Sequence, residues 1–302
     1  MAEADFIALL RNIADSPSAR GLLDDVAVVD GLVISHDTIV EGIHYLPSDP
    51  PASVAWKLVA VNLSDLAAKG AVPIAALMAY TLSGDSDWDA GFVEGLSIAT
   101  RHFGLPLVGG DTVSLPAGNA RVTGLTVIGR TQGNIPDRRG AGVGDGLFVT
   151  GTIGDAGLGL DVAKGDAAHD EYLLRSYQRP EPQLAAGRLL APSVTAMMDV
   201  SDGLLIDAAR LAKASGLAVM IDLSAVPLSP SFRAVAGGDR SARLRGATAG
   251  DDYQLLFTSA LPLPPVGVSV TRIGHMMRGA GLKLTDGDGE IRLPDRLGWL
   301  HA

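Results

Sequence analysis

Aspartates stand at the ends of apolar runs or beside glycine along much of this chain: Asp24-Asp25, Asp37, Asp65, Asp111, Asp199, Asp202 and Asp251-Asp252. Taken singly, a carboxylate in such a place usually caps a helix or closes a turn. Three sets ask for more. Asp65 continues the series Val54, Leu58, Val61 in steps of four, three and four, which places it on the apolar stripe of a helix. An ionised carboxylate facing the interior is costly without a cation or several donors, and a buried salt bridge is the simplest remedy. Lys57 and Lys69, the nearest basic residues on that helix, are expected to point away from the stripe, which favours a metal ion instead. Asp111 follows the apolar run 105–108 through Gly109-Gly110, and backbone without a Cβ can lie against a ligand while the acid faces it. Asp199 and Asp202 bracket Val200-Ser201 between a strand and a helix, with Ser201 the expected N-cap of an amide end that favours anions. Acids beside such amides suit a metal–phosphate complex, in which carboxylates hold hard divalent cations and the cations meet phosphate oxygens.

Other chemistries are excluded by what is missing. The 302 residues include no cysteine, so disulfides, zinc–thiolate sites, iron–sulfur clusters and thiol catalysis fall away. No Gly-Lys dipeptide occurs, hence no Walker A loop, and the glycines of 151–159 do not fall in GxGxxG order. GxSxG, HExxH and the protein-kinase HRD and DFG motifs are absent as well. A formal charge of −10, from 24 basic and 34 acidic residues, weighs against nucleic acid or an anionic membrane as partner. Residues 1–10 carry Glu3 and Asp5 with neither a basic segment nor a long apolar run, and no apolar stretch is long enough for a bilayer. A cytoplasmic protein is expected.

Apolar residues at 47% and charged residues at 19% give the usual globular mix, enough for one large domain or two ordinary ones. Helices are expected over 6–13, 53–70, 88–103, 184–190 and 201–215, with the end of another at 160–164. Strands are expected over 26–29 and 32–35, joined at Asp30-Gly31, and over 74–82, 105–108, 122–129, 147–150, 196–200, 219–223, 253–258 and 269–273. Residues 136–146, with four glycines and a proline, read as a hinge, and 151–159 as a glycine-rich loop. Strands and helices alternate on both sides of the hinge, so the fold class is α/β (α+β) in two domains, 1–138 and 139–302.

In order along the chain stand Asp24-Asp25-Val26-Ala27-Val28, Ser35-His36-Asp37-Thr38 with Glu41-Gly42-Ile43-His44, and Val61-Asn62-Leu63-Ser64-Asp65-Leu66-Ala67-Ala68. Gly109-Gly110-Asp111-Thr112, Gly129-Arg130, Tyr177-Gln178-Arg179-Pro180, Asp199-Val200-Ser201-Asp202-Gly203-Leu204 and Gly250-Asp251-Asp252-Tyr253 follow. With this series, from about residue 20 to Trp299, the chain resembles the thiamine-monophosphate kinase family of the aminoimidazole-ribonucleotide-synthetase-like superfamily. The resemblance implies an N-terminal α/β domain whose strands form a barrel across a homodimer, and a C-terminal α/β domain closing over an ATP cleft. It implies transfer of the γ-phosphoryl group of ATP to thiamine monophosphate, with several Mg2+ ions. On the matching positions, Asp25, Ser35, Asp37, Asp65, Asp111, Asp199 and Asp202 would be metal ligands. Gly110, Asp111, Arg130 and Ser201 would contact ATP, and His44, Asp251 and Trp299 the thiamine phosphate. Arg130, Asp65 and Asp111 would bear most directly on catalysis. Three positions depart from the family pattern: His36 replaces a small hydroxyl residue, Asp251 a glutamate, and Leu22-Leu23 an Ile-Gly pair.

The implied chemistry needs no general base, because a phosphate monoester has its second pKa at about 6 and is largely ionised at neutral pH. The obstacle is repulsion between anionic phosphates, which metal ions and Arg130 would offset in a direct in-line transfer without a phosphoenzyme. Within the superfamily, the selenophosphate-synthetase and carbamoyl-dehydratase types need a cysteine or selenocysteine that this chain lacks. An aminoimidazole ribonucleotide synthetase, or a non-catalytic nucleotide–metal sensor, remains the alternative.

Overall fold

The computed structural model describes residues 3–300 except 117 and 132, with residues 3 and 4 described by backbone alone. After helix α1 (Glu3–Leu10), strands β1 (Ala27–Val29) and β2 (Leu32–Val40) form the expected hairpin about Asp30-Gly31. β2 outlasts its expected end at residue 35 because β5 (Val122–Arg130) pairs with it antiparallel from Leu32↔Arg130 to Val40↔Val122. On its other edge β5 takes β3 (Val72–Leu82), and β3 pairs parallel with β4 (Leu107–Ser114), giving the order β1-β2-β5-β3-β4. Within the single chain this sheet is open, with β1 and β4 at its edges, rather than a closed barrel.

β4 corrects the reading of the Gly109-Gly110-Asp111 segment. The strand does not stop there; it continues through the glycines to Ser114. A Cβ on Gly110, whose φ is +153°, would lie 1.9 Å from Met78 O on β3. Glycine at 110 is thus required by the close approach of the neighbouring strand.

α2 (Pro51–Ala68) lies against β2, β5 and α3 (Ser86–Phe103) on one side and against the second half of the molecule on the other. From Ser53 to Ala68 every residue is buried. The one-sided apolar stripe expected for this helix therefore gives way to burial all round, which is how a helix between two layers behaves.

The second sheet has the order β12-β11-β8-β10-β6-β9-β7, and its members are β6 (Gly146–Thr150), β7 (Ala196–Asp199), β8 (Ala218–Asp222), β9 (Leu255–Ser259), β10 (Val270–Met277), β11 (Gly281–Asp286) and β12 (Gly289–Ile291). β8 and β11 are parallel and every other pair is antiparallel. The α/β two-domain architecture expected from the alternation of elements is present. Helix α4 (Asp155–Lys164) shortens the glycine-rich loop, because the Asp252 carboxylate accepts from Gly154 N at 2.9 and 2.8 Å and anchors the helix start. α6 (Leu184–Leu190) and α7 (Leu204–Ala214) follow expectation, the latter starting three residues later. α5 (Glu171–Gln178), α8 (Pro230–Ala236), α9 (Arg240–Thr248), β11 and β12 are short elements without a long periodic signal. No helix among the described residues is long and apolar enough to cross a membrane.

β7 lies at the edge of its sheet, directly against α2. Its last residue, Asp199, is thereby carried to the buried helix that bears Asp65. Replacing Gly110 by Ala should break the β3–β4 approach and cost at least about 2 kcal/mol of stability, read by urea denaturation, since backbone has no rotamer with which to yield. An unchanged midpoint would show that the two strands can part without loss.

Candidate active site

One carboxylate oxygen from each of Asp25, Asp65 and Asp199 lies within 4.8 Å of the others, and Asp65 and Asp199 are buried. Asp25 comes from the segment before β1, Asp65 from α2 and Asp199 from the end of β7, so both sheets and the helix between them contribute. Ser35 on β2 donates to Asp65 Oδ2 and, at 3.2 Å, to the Asp25 carbonyl. Asp37, two residues further along the same face of β2, is steadied by its own N–H donating to Asn62 Oδ1 at 2.8 Å.

The acids sense one another. Burial, then Asp25 and Asp202, push the Asp37 carboxyl up to about 6. Burial and the Asp25 carboxylate push Asp199 up to about 8, and burial with Asp37, Asp199 and Asp25 drives Asp65 well above the carboxylate range. Five of the sequence-expected metal ligands thus share one field: Asp25, Asp37, Asp65, Asp199 and Asp202. The donors are carboxylate and hydroxyl oxygens, the set a hard divalent cation prefers, so these residues fit Mg2+.

The lysines correct the sequence reading. Lys69, just after α2, is fully buried and donates to Asp24 Oδ1 at 2.6 Å, Asp25 Oδ2 at 3.1 Å and Met197 O at 3.1 Å. Arg138 caps the other oxygen of Asp25, and Arg20 pairs with Asp24 at 2.9 Å. Burial alone would raise Asp25, but Arg138 and Lys69 hold it below the usual range. Lys57 is equally buried and pairs with Asp251 at 2.6 Å. Neither lysine could be placed by counting along an amphipathic stripe, because α2 has no exposed face. The segment read as a hinge is pinned too: Asp137 accepts from Arg20 Nε at 3.1 Å, and Arg138 reaches Asp25.

Ser201 is not the N-cap of α7; Gly203 holds that place and makes no side-chain cap. The amides of Ser201, Asp202 and Gly203 instead donate to one oxygen of buried Asp207, at 3.1, 3.1 and 3.2 Å. Its other oxygen accepts from Arg210 at 2.8 Å, and Arg210 also binds Asp202. Amides expected to face an anion are thus satisfied within the protein, and Ser201 O is engaged as well, by Asp251 N at 2.8 Å. That bond seats the 250–253 loop on the 201–203 loop, and Trp299 N donates to Asp202 O at 2.8 Å, bringing the exposed indole to the same place.

His44 and Asp251 meet through Lys57, whose Nζ also donates to His44 O at 2.9 Å. His44 Nδ1 accepts from Val40 N at 3.0 Å, which puts the proton of the neutral ring on Nε2. Arg130, at the end of β5, is exposed and makes no ion pair among the described residues. Asp111 is exposed in the middle of β4, and Gly110 beside it; neither enters the buried triad. His36 stays outside the triad as well and binds Thr126 at 2.9 Å and Thr38 at 3.2 Å. Arg138, Asp207 and Arg210 were invisible as site residues because their partners lie elsewhere in sequence or their spacing reads as ordinary helix surface. The one available signal was the pair of arginines in a segment otherwise suited to a linker.

Residues 23–131 match the family of AIR synthase related protein N-terminal domains, and 142–251 the corresponding C-terminal domains. The chain is 38% identical to the thiamine-monophosphate kinase of Caulobacter vibrioides, covering 99% of this chain and 91% of that protein. It is 35% identical to that of Escherichia coli K12, covering 85% and 83%. Among solved structures, AaThiL complexed with AMPPCP and TMP superposes with a TM-score of 0.89 at 29% identity, covering 100% of this chain and 97% of that one. Thiamine-monophosphate kinase from Stenotrophomonas maltophilia K279a gives 0.78 at 31%, covering 95% and 96%.

If the triad holds a cation, Mg2+ at a hundredfold its dissociation constant should add about 2.7 kcal/mol to the unfolding free energy. Asp65→Asn, which removes charge without volume, should abolish most of that gain while unfolding no more readily than wild type in EDTA. Thermal denaturation with and without Mg2+ reads both quantities. A full Mg2+ shift in the Asn variant would make Asp65 a purely structural acid.

Proposed function

The chain belongs to the thiamine-monophosphate kinase family, and on that premise we propose that this kinase transfers the γ-phosphoryl group of ATP to the phosphate of thiamine monophosphate, giving thiamine diphosphate and ADP. The observation that carries the reading is the buried triad of Asp25, Asp65 and Asp199, assembled from both halves of the chain at mutually repelling distance. These residues, with Ser35, Asp37 and Asp202 around them, would hold Mg2+, and the bound ions would supply positive charge to the phosphate oxygens of nucleotide and acceptor.

The protein's own groups divide the remaining work. Lys69 and Arg138 keep Asp25 ionised and fixed, so that it is ready as a ligand. Asp207 holds the backbone of 201–203 and thereby aims Asp202 and Ser201. With its amide and carbonyl both engaged, Ser201 would meet ATP through its hydroxyl. Arg130, exposed at its strand end, would add charge beside the transferred group, and Gly110 and Asp111 would border the nucleotide from β4. His44, Asp251 and the Trp299 ring would receive the thiamine phosphate on the opposite side. No side chain need act as base, since the attacking oxygen is already ionised.

The open first sheet supports the proposed homodimer. β4 is exposed along its whole length, and Val72, Ile74 and Leu77 of β3 with Leu107, Val108 and Val113 of β4 leave large apolar side chains in water. Exposed apolar side chains along an open sheet edge are what a partner subunit would cover. The proposal expects a dimer by light scattering, and Leu77→Asp with Val108→Asp should shift it to monomer; a monomeric wild type contradicts it.

ADP release should be fast with thiamine monophosphate and absent with thiamine or formylglycinamidine ribonucleotide. Turnover with the ribonucleotide alone would indicate the synthetase, and turnover with none of them the sensor. In-line transfer without a phosphoenzyme predicts inversion at a chirally labelled γ-phosphorus; retention would require an intermediate.

A further inference from the structure

Lys57 is 2% exposed, yet nothing in the phosphoryl-transfer chemistry calls for a cation at its position. Its ammonium group is saturated by the protein. It donates to Asp251 Oδ2 at 2.6 Å and His44 O at 2.9 Å, and lies 4.3 Å from the centroid of the Tyr177 ring. Those partners come from both halves of the molecule: His44 from the turn after β2, Tyr177 from α5 and Asp251 from the loop before β9.

Each partner is itself held by further contacts. Asp251 has φ +66° and Tyr253 φ +50°, left-handed values that a non-glycine residue keeps only where its surroundings enforce them. Tyr253 OH donates to the second oxygen of Asp251 at 2.9 Å, so both sides of that carboxylate are gripped while a third of the side chain remains open to solvent. The His44 turn is held at its other end when Leu46 N donates to Tyr177 OH at 3.1 Å and to Asp49 Oδ2 at 2.8 Å. Tyr177 OH in turn donates to Asp49 at 2.7 Å. Lys57 therefore ties together the strained loop, the turn and the aromatic ring.

We infer that Lys57 is a positioning residue for the acceptor side of the site: it fixes the separation of His44 and Asp251 across the two domains, and with it the fit of the acceptor substrate. This inference rests on the function proposed above, which places His44 and Asp251 against thiamine monophosphate. The eight residue steps from Lys57 to Asp65 span about 12 Å of helix. α2 thus carries the acceptor clamp and a metal-site acid at a fixed distance from each other, and loosening one need not disturb the other.

The test is steady-state kinetics on Lys57→Met, Lys57→Arg, Asp251→Asn and the Met/Asn double variant. Lys57→Met should raise KM for thiamine monophosphate at least tenfold and leave KM for ATP within twofold. Lys57→Arg, which keeps a cation against Asp251, should raise KM for thiamine monophosphate by a smaller factor, about threefold. The double variant should be no worse than Asp251→Asn alone, because each residue acts through the other. Equal changes in both KM values, a fall in kcat with KM untouched, or additive effects would overturn the positioning role. If Lys57→Met does not fold, as judged by circular dichroism, Lys57→Arg decides, and an unchanged KM for thiamine monophosphate in it overturns the inference. A wild-type protein inactive on thiamine monophosphate overturns the proposed function itself; an active one with an indifferent Lys57 overturns only this inference.

Discussion

Repulsion among buried carboxylates is the constraint around which this molecule is arranged. Asp24, Asp25, Asp37, Asp65, Asp199, Asp202 and Asp207 gather around one end of α2, facing Lys69, Arg20, Arg138 and Arg210. Each uncompensated buried charge costs several kcal/mol, against a total stability for a protein domain of about 5–15 kcal/mol. A cluster that merely held the fold together would be better built from apolar side chains. Its acids are anchored by dedicated cations where they are most crowded, at Asp24 and Asp25, and left to repel where Asp37, Asp65 and Asp199 meet. Asp25 belongs to both groups, since Lys69 and Arg138 fix it while one of its oxygens lies beside Asp65 and Asp199; in the proposed function those three acids would share a cation.

α2 makes the arrangement possible. A helix buried on all sides needs partners for its polar side chains, and Lys57, Asn62, Asp65 and, just past its end, Lys69 each reach one outside the helix. The two sheets are thus joined through polar contacts as well as apolar packing, Trp56 Nε1 to Pro180 O at 2.9 Å being one further link. The linker that follows β5 is drawn into the same network by Arg138.

How much of this was legible in the sequence differs by kind of signal. Long periodic elements, such as α2, α3, β5 and the β1–β2 hairpin, were evident because local pattern and tertiary context agree there. The aspartates were evident because an acid on an otherwise apolar helix, or bracketing a strand end, conflicts with its surroundings. Their partners were hidden. Lys57 and Lys69 look like solvated helix residues until the second half of the chain covers them, and Asp207 looks like an ordinary first-turn acid until its oxygen is found beneath three amides. Gly110 was read as backbone able to lie against a ligand, and the structure places Met78 of the neighbouring strand against it. α5 and α9 are too short for a long periodic run, and both pack against other elements.

The fate of the α7 amides bears on how an acidic protein would handle polyanions. A helix N-terminus is the commonest device for holding phosphate without metal, and the sequence around Ser201 invites it. Asp207 takes the three amides that lead into the helix, those of Ser201, Asp202 and Gly203, for a carboxylate already present. In the proposed reaction, phosphate charge beside these three amides would be met by cations. Lys69 and Lys57 are both saturated by the protein, and Arg138 and Arg210 are committed to aspartates. Arg130 stands exposed and without an ion pair among the described residues, and the acids of the triad can recruit divalent charge that the chain does not itself carry. In the proposed reaction, binding of nucleotide would then be coupled to metal occupancy by electrostatics alone: without the cations, a phosphate chain would enter a field of its own sign.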